Sequence, residues 1–130
     1  MIKLLTVDDE LDFCEFMRDF FSGMGYSVSI VLTGKEALAY VSKEKPNIVF
    51  LDIIMPDMNG LEILRQIKEI DPGIKVIMVS AADDKEVKEK ARSLGADEFI
   101  RKPFSRRYLE DVVIRKIIEL TKPQKEGAGR

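Results

Sequence analysis

The stretch that decides the fold is IVFLDIIMPDMNG, Ile48 to Gly60. Ile48-Val49-Phe50-Leu51 is a continuous apolar run, β-branched and aromatic, that follows Pro46-Asn47 and stops at a carboxylate, Asp52. Apolarity without alternation predicts a strand covered on both faces, as in a parallel sheet flanked by helices. Asp52 then stands at the strand's carboxyl end, where a sheet opens to solvent. Met55-Pro56-Asp57 and Asn59-Gly60 are turn chemistry, so the chain leaves the sheet there and a helix follows. Taken alone, Asp52 reads best as a cap on that turn; what stands at the ends of the other strands tips the balance.

The same pattern repeats on either side. Ile2 to Val7 reads as a first strand ending at Asp8-Asp9, followed by a helix to about Met24 that Gly25 stops. Tyr26 to Leu32 is a second strand, and a short helix opens at Thr33-Gly34 with Ala37, Leu38 and Val41 on its apolar side. Beyond the central strand, Ile63, Leu64, Ile67 and Ile70 mark a third helix. Ile74 to Val79 is a fourth strand ending at Ser80, and Val87, Ala91 and Leu94 mark a fourth helix that Gly95 stops. Glu98 to Arg101 is a fifth strand ending at Lys102-Pro103, Ser105 to Leu120 the last helix, and the remainder a polar tail.

Strands alternating with helices predict βαβ units, hence an α/β fold of one domain built on a doubly wound, five-stranded parallel sheet. Right-handed crossovers bring all the carboxyl ends to one edge, where such sheets bind ligands. That edge collects Asp8, Asp9, Asp52, Ser80 and Lys102. The second strand ends in Leu32-Thr33 and brings no charge, as expected at the periphery.

Composition sets bounds. At 130 residues, 45% hydrophobic and 34% charged, the chain is one ordinary globular domain that needs no disulfide or structural metal. A net charge of −2 favours neither nucleic acid nor an anionic membrane as partner. The single cysteine, Cys14, cannot form an internal disulfide, which fits a reducing cytoplasm, and it reads as a small apolar helix residue. No apolar run approaches the roughly 18 residues of a membrane span, and Lys3 to Glu10 is no signal peptide.

Three carboxylates at one crevice repel: unit charges 4 Å apart cost roughly 4 kcal/mol at an intermediate dielectric. A hard divalent cation relieves this, and Mg²⁺ (or Mn²⁺) takes a few carboxylates together with waters and a phosphate oxygen. A carboxylate can also attack phosphorus to give an acyl phosphate, whose oxygens then call for an ammonium and a hydroxyl such as Lys102 and Ser80. Singly, each residue has another reading: Asp8-Asp9-Glu10 as a dipole-favoured helix start, Ser80 as turn chemistry, Lys102 as a surface charge.

In this order and at these strand ends, VDDE (7–10), LDIIMPDMNG (51–60), VSAA (79–82) and GADEFIRKPF (95–104) resemble the receiver domain of two-component response regulators. The resemblance covers residues 1–121 and leaves 122–130 as a tail. It implies a flavodoxin-like fold with strand order 2-1-3-4-5. It implies phosphorylation of Asp52 by a sensor histidine kinase or phosphotransfer protein, with Mg²⁺ held by Asp9, Asp52, the Ile54 carbonyl and, directly or through water, Asp8. Lys102 matches the phosphate-binding lysine, Lys102-Pro103 a cis peptide, Ser80 and Phe99 the switch pair. Phe99 has no hydroxyl and so reports activation only through its packing; as a strand phenylalanine it also reads as plain core. The surface of the fourth helix, fifth strand and fifth helix then changes and partners read it, a dimer among the outcomes. Ile54 and Ala82 bring no polar group near the phosphate, so self-dephosphorylation is expected to be slow.

In the first helix, Met17, Phe20, Phe21 and Met24 suit the core, leaving Phe13 and Phe16 at the crevice rim as a docking patch, with Pro103 and Phe104 beside them, or else simply buried. A haloacid-dehalogenase-type phosphohydrolase would carry a second aspartate two residues after Asp52, where Ile54 stands, so turnover of an external substrate is not expected. A flavodoxin would carry a Ser/Thr/Gly-rich loop in place of Asp8-Asp9-Glu10. Nothing after Leu120 suffices for a DNA-binding domain, so the chain reads as a stand-alone relay or the isolated receiver of a longer regulator.

Overall fold

Successive side chains of a strand point to opposite faces, and in the central strand β3 (Ile48–Asp52) both faces are covered. Ile48 and Phe50 join one apolar cluster, Val49 and Leu51 another, and all four are at most 1% exposed. The computed structural model describes residues 1–81 and 83–123. Ala82 and most of the expected tail lie outside the described residues.

Around β3 stand β1 (Lys3–Val7), β2 (Ser27–Val31), β4 (Lys75–Ser80) and β5 (Glu98–Arg101), giving a five-stranded sheet in the order β2-β1-β3-β4-β5. Every pairing is parallel. Helices α1 (Leu11–Gly23) and α5 (106–120) cover one face, with Met17, Phe20, Phe21, Leu109, Val113 and Ile117 packed on Leu4, Phe50, Ile77 and Val79. Helices α2 (Gly34–Glu44), α3 (Gly60–Ile70) and α4 (Lys85–Ser93) cover the other, with Val41, Ile63, Leu64, Ile67 and Ala91 on Leu5, Leu51, Val76 and Met78. No helix among the described residues is long and apolar enough to cross a membrane.

The element ends follow local chemistry. Thr33, Asn59, Asp84 and Ser105 each accept a backbone N–H from the first turn of the following helix. Helix α1 stops at Gly23, one residue earlier than its periodicity suggests. The chain turns at Met24-Gly25, which swings Met24 out of the core to 52% exposure, contrary to the sequence expectation. Helix α5 also departs from a regular pattern, since Leu109–Val113 is π-helical. Its buried residues Leu109, Val113 and Ile117 are spaced by four, and each such step overshoots an α-helical turn by about 40°. The wider π turn takes that rotation back and keeps all three on the sheet.

Two glycines allow close approaches. A Cβ on Gly60 would stand 2.5 Å from the carbonyl oxygens of Asp52 and Ile53, so only glycine lets α3 begin directly against the end of β3. A Cβ on Gly34 would meet Met58 Sδ at 2.9 Å and Ile63 Cδ1 at 2.7 Å, so the α2 start and the β3–α3 loop touch there.

Among the described residues, one core side-chain oxygen is unsatisfied. Thr6 lies in β1 between β2 and β3, 1% exposed, and among the described residues its hydroxyl has no hydrogen-bond partner. Burying such a group costs about 1–3 kcal/mol. Thr6→Val keeps the shape and removes that cost, so it is expected to stabilise the protein by about 1 kcal/mol. The melting temperature should then rise by about 3–5 °C; a lower value would show that the hydroxyl is satisfied in solution.

Candidate functional site

The parallel topology brings all five strand ends to one edge, and backbone bonds just past the strands fix what stands there. Asp8 N–H donates to the Val31 carbonyl (3.2 Å), carrying the β1–β2 ladder one residue further. Lys102 N–H donates to the Ser80 carbonyl (2.9 Å) and ties the end of β5 to that of β4. Asp52 closes β3. A crevice of about 380 Å³ opens above these ends, lined by Asp9, Glu10, Asp52, Ile54, Ala81 and Lys102 among others.

The Lys102 ammonium is the centre of the site. It donates to Asp8 Oδ2 at 2.6 Å, Glu10 Oε1 at 3.1 Å and Asp52 Oδ2 at 3.3 Å, and lies 4.2 Å from the centre of the Phe13 ring. The second oxygens of the two aspartates are also engaged: Glu10 N–H donates to Asp8 Oδ1 (2.9 Å) and Ile54 N–H to Asp52 Oδ1 (3.1 Å). Asp8 is 1% exposed, and the side chains of Lys102 and Asp52 each 13%.

Burial and the neighbouring charges together set the titration of these groups. It raises the Asp52 pKa above the ordinary carboxylate range; the Ile54 N–H and Lys102 oppose the rise and the Asp8 charge adds to it. Burial alone would lower the Lys102 pKa, but the hydrogen bond to Asp8 and the charges of Asp52 and Asp8 outweigh it, so the ammonium persists well above its usual range. Beneath the site, Cys14 is fully buried with its Sγ 3.4 Å from the Asp8 carbonyl oxygen. Burial and then the Asp8 charge push its thiol up to about 12, leaving it an inert core residue.

The donor set suits a hard cation. Asp8, Asp9 and Asp52 each present one carboxylate oxygen, all within 4.8 Å of one another. Oxygens gathered this closely would hold a small hard cation of the Mg²⁺ class. Each carboxylate keeps a lone pair beyond the hydrogen bonds already made. The β3–α3 loop is closed by Gly60 N–H donating to the Ile53 carbonyl (2.7 Å), which engages the residue before Ile54.

Of the residues singled out from sequence, the structure gathers Asp8, Asp9, Asp52, Ile54 and Lys102 at this crevice. Ser80 and Phe99 share a separate, apolar cavity of about 250 Å³, walled also by Ile53, Met78 and Val87; Ile54 lines both spaces. Phe99 is half-buried beneath the Arg92 guanidinium, 5.2 Å from its ring centre. Phe13 and Phe16 are half-buried against Phe104, with ring centres 5.7 and 6.5 Å apart, so Phe104 covers part of the expected patch while Pro103 is exposed. The Lys102-Pro103 peptide is cis. Sequence reasoning gave no separate role to Glu10, a third carboxylate on Lys102, or to Asp57, which bonds to the start of α2; both contacts span distances along the chain that no local pattern records.

A family model described as the response regulator receiver domain matches residues 4–114. Response regulator MprA of Mycolicibacterium vanbaalenii is 32% identical over 130 residues, 98% of this chain and 54% of that protein. The chain thus spans about half the length of such relatives. Sporulation initiation phosphotransferase F of Bacillus subtilis is 35% identical over 111 residues, 85% of this chain and 90% of that protein. A CheY-like response regulator receiver domain protein from Methanospirillum hungatei superposes with a TM-score of 0.86 at 32% identity, covering 92% of this chain and 96% of that one.

The geometry predicts what Lys102 does for the fold. Lys102→Met leaves Asp8 and Asp52 facing each other without a cation. Breaking a buried ion pair on one side costs about 3–5 kcal/mol, so urea unfolding at neutral pH without divalent metal should show a loss of about 3 kcal/mol. An unchanged midpoint would mean that the acids do not depend on the ammonium.

Proposed function

The chain belongs to the response regulator receiver family, and from that premise we propose that it is a phosphorylation-operated switch whose acceptor is Asp52. The observation that carries this reading is the meeting of Asp8, Asp9 and Asp52 around one crevice with the Lys102 ammonium 3.3 Å from Asp52 Oδ2. Residues 1–121 form the working unit. The donor is a sensor histidine kinase or a phosphotransfer protein, and the chain acts as a stand-alone relay or as the receiver of a longer regulator.

In the transfer step a carboxylate oxygen of Asp52 attacks phosphorus. The bond from phosphorus to the donor's imidazole nitrogen breaks, the nitrogen keeps the electron pair, and an acyl phosphate forms. Lys102 meets the charge on the phosphoryl oxygens, already held in place by Asp8 and Glu10. Asp9, Asp52, the Ile54 carbonyl and, directly or through water, Asp8 would hold Mg²⁺ (or Mn²⁺), which would supply further positive charge at those oxygens. Asp8 orients Lys102.

The new charge then shifts a population. Ser80 moves toward the phosphoryl group, Phe99 repacks into the space beside it, and the α4–β5–α5 surface alters for a downstream partner or a second copy. Ile54, 74% exposed at the rim, has no polar group to orient an attacking water, which supports slow self-dephosphorylation and a relay role without turnover of external substrate. Phe13, Phe16, Pro103 and Phe104 lie beside the crevice and form the docking edge for the donor.

Acetyl phosphate with Mg²⁺ should label the wild type, with a phospho-protein half-life of minutes or longer, and should not label Asp52→Asn. Full incorporation in that variant would refute the assignment, and a half-life of seconds would refute the role given to Ile54. Alanine at both Phe13 and Phe16 should slow transfer from a phosphorylated histidine donor and spare labelling by acetyl phosphate. Equal losses in the two assays would discard docking.

A further inference from the structure

The loop between β3 and α3 carries Ile54, whose side chain is too exposed to anchor that residue in the core. It is 74% exposed. What fixes its backbone, apart from the N–H bond to Asp52, must come from the rest of the loop. The base is pinned by Gly60, whose N–H donates to the Ile53 carbonyl at 2.7 Å. Met55, 7% exposed, anchors the middle in the core.

The tip is held by Asp57. Its Oδ1 accepts the Gly34 N–H at 2.8 Å and its Oδ2 the Lys35 N–H at 3.0 Å, two N–H groups that the first turn of α2 leaves without helical partners. Those two bonds lower its pKa, so the carboxylate is charged at neutral pH, where the α2 dipole favours it. Beside it Met58 presses on Gly34, where a Cβ would come within 2.9 Å of its sulfur. The loop therefore docks on α2 through a fork of charge-assisted hydrogen bonds next to a tight apolar contact.

We propose that Asp57 is a positioning residue for the divalent cation: by tying the β3–α3 loop to the start of α2, it sets where the Ile54 backbone stands and so how tightly the crevice holds the ion. This rests on the reading that the Ile54 carbonyl joins Asp8, Asp9 and Asp52 around that ion. Losing an outer support of a metal ligand typically weakens binding by about 10–100-fold, and a support acting through a loop belongs at the lower end, about tenfold.

The test is a Mg²⁺ titration of the full chain, followed by the amide NMR shifts of residues 52–60. Wild type should saturate and Asp9→Asn should bind far more weakly. Asp57→Ala should bind about tenfold more weakly than wild type, and Asp57→Asn, which keeps one acceptor and serves if the alanine variant unfolds, should fall between them. Thr33→Ala removes the other side-chain cap of α2, on the Glu36 N–H, without touching the loop. It should lower the melting temperature and leave Mg²⁺ affinity unchanged. Wild-type affinity in Asp57→Ala, or an equal loss in Thr33→Ala, would overturn the positioning role and leave the proposed function standing. Absence of saturable Mg²⁺ binding in wild type would overturn both.

Discussion

One ammonium makes the functional edge of this sheet tolerable. Asp8 and Asp52 are withdrawn from water, and Lys102 binds both while reaching Glu10. With β3 and β4 between them, β1 and β5 stand about 14 Å apart, three strand spacings and more than a lysine stem covers. The contact exists because Asp8 and Lys102 both lie past the ends of their strands, where the loops fold over the sheet. The backbone bonds that extend the ladders, Asp8 to Val31 and Lys102 to Ser80, are therefore as necessary to the site as its charges.

The architecture was legible in the sequence because burial on two faces leaves a mark that one strand cannot hide. Ile48 to Leu51 is apolar at every position, and the structure sends alternate members to opposite clusters. The convergence of Asp8, Asp9, Asp52 and Lys102 was legible for a related reason: a parallel sheet with right-handed crossovers permits only one edge for carboxyl ends. Two helix starts were visible too, since Thr33 and Ser105 stand at them and cap within three residues of themselves, whereas no side chain caps α1.

What escaped is what depends on three-dimensional closure. Met24 keeps helical spacing from Phe21 and Met17, but the turn at Gly25 ends the helix first, and periodicity carries no information on where a helix stops short. The π turn in α5 was hidden because a spacing of four at Leu109, Val113 and Ile117 suits an α-helix nearly as well. Phe104 covers Phe13 and Phe16 from some ninety residues away, and Asp57 reaches Gly34 across twenty-three. In each case the partner is fixed by packing between elements, a quantity absent from any local window.

The division between the two spaces at the edge bears on how a switch of the proposed kind works. A ligand shifts a conformational equilibrium only by the difference between its interactions with the two states. Carrying a population from 1:99 to 99:1 takes about 5.5 kcal/mol. Lys102 is already committed to three carboxylates, so a phosphoryl group on Asp52 largely exchanges one anionic partner for another, and the net gain from that contact is small. New charge-assisted hydrogen bonds are worth about 1.5–3 kcal/mol each, so roughly two or three have to come from groups that do not yet face the crevice. Ser80 is such a group: it lines the apolar cavity with Phe99, and Ile54 lines both that cavity and the crevice of Asp52. On the proposed reading the Ser80 hydroxyl, with one proton to donate, supplies one of these bonds, so the remainder has to come from further donors at the crevice, while the work of Lys102 is to hold the acids together beforehand.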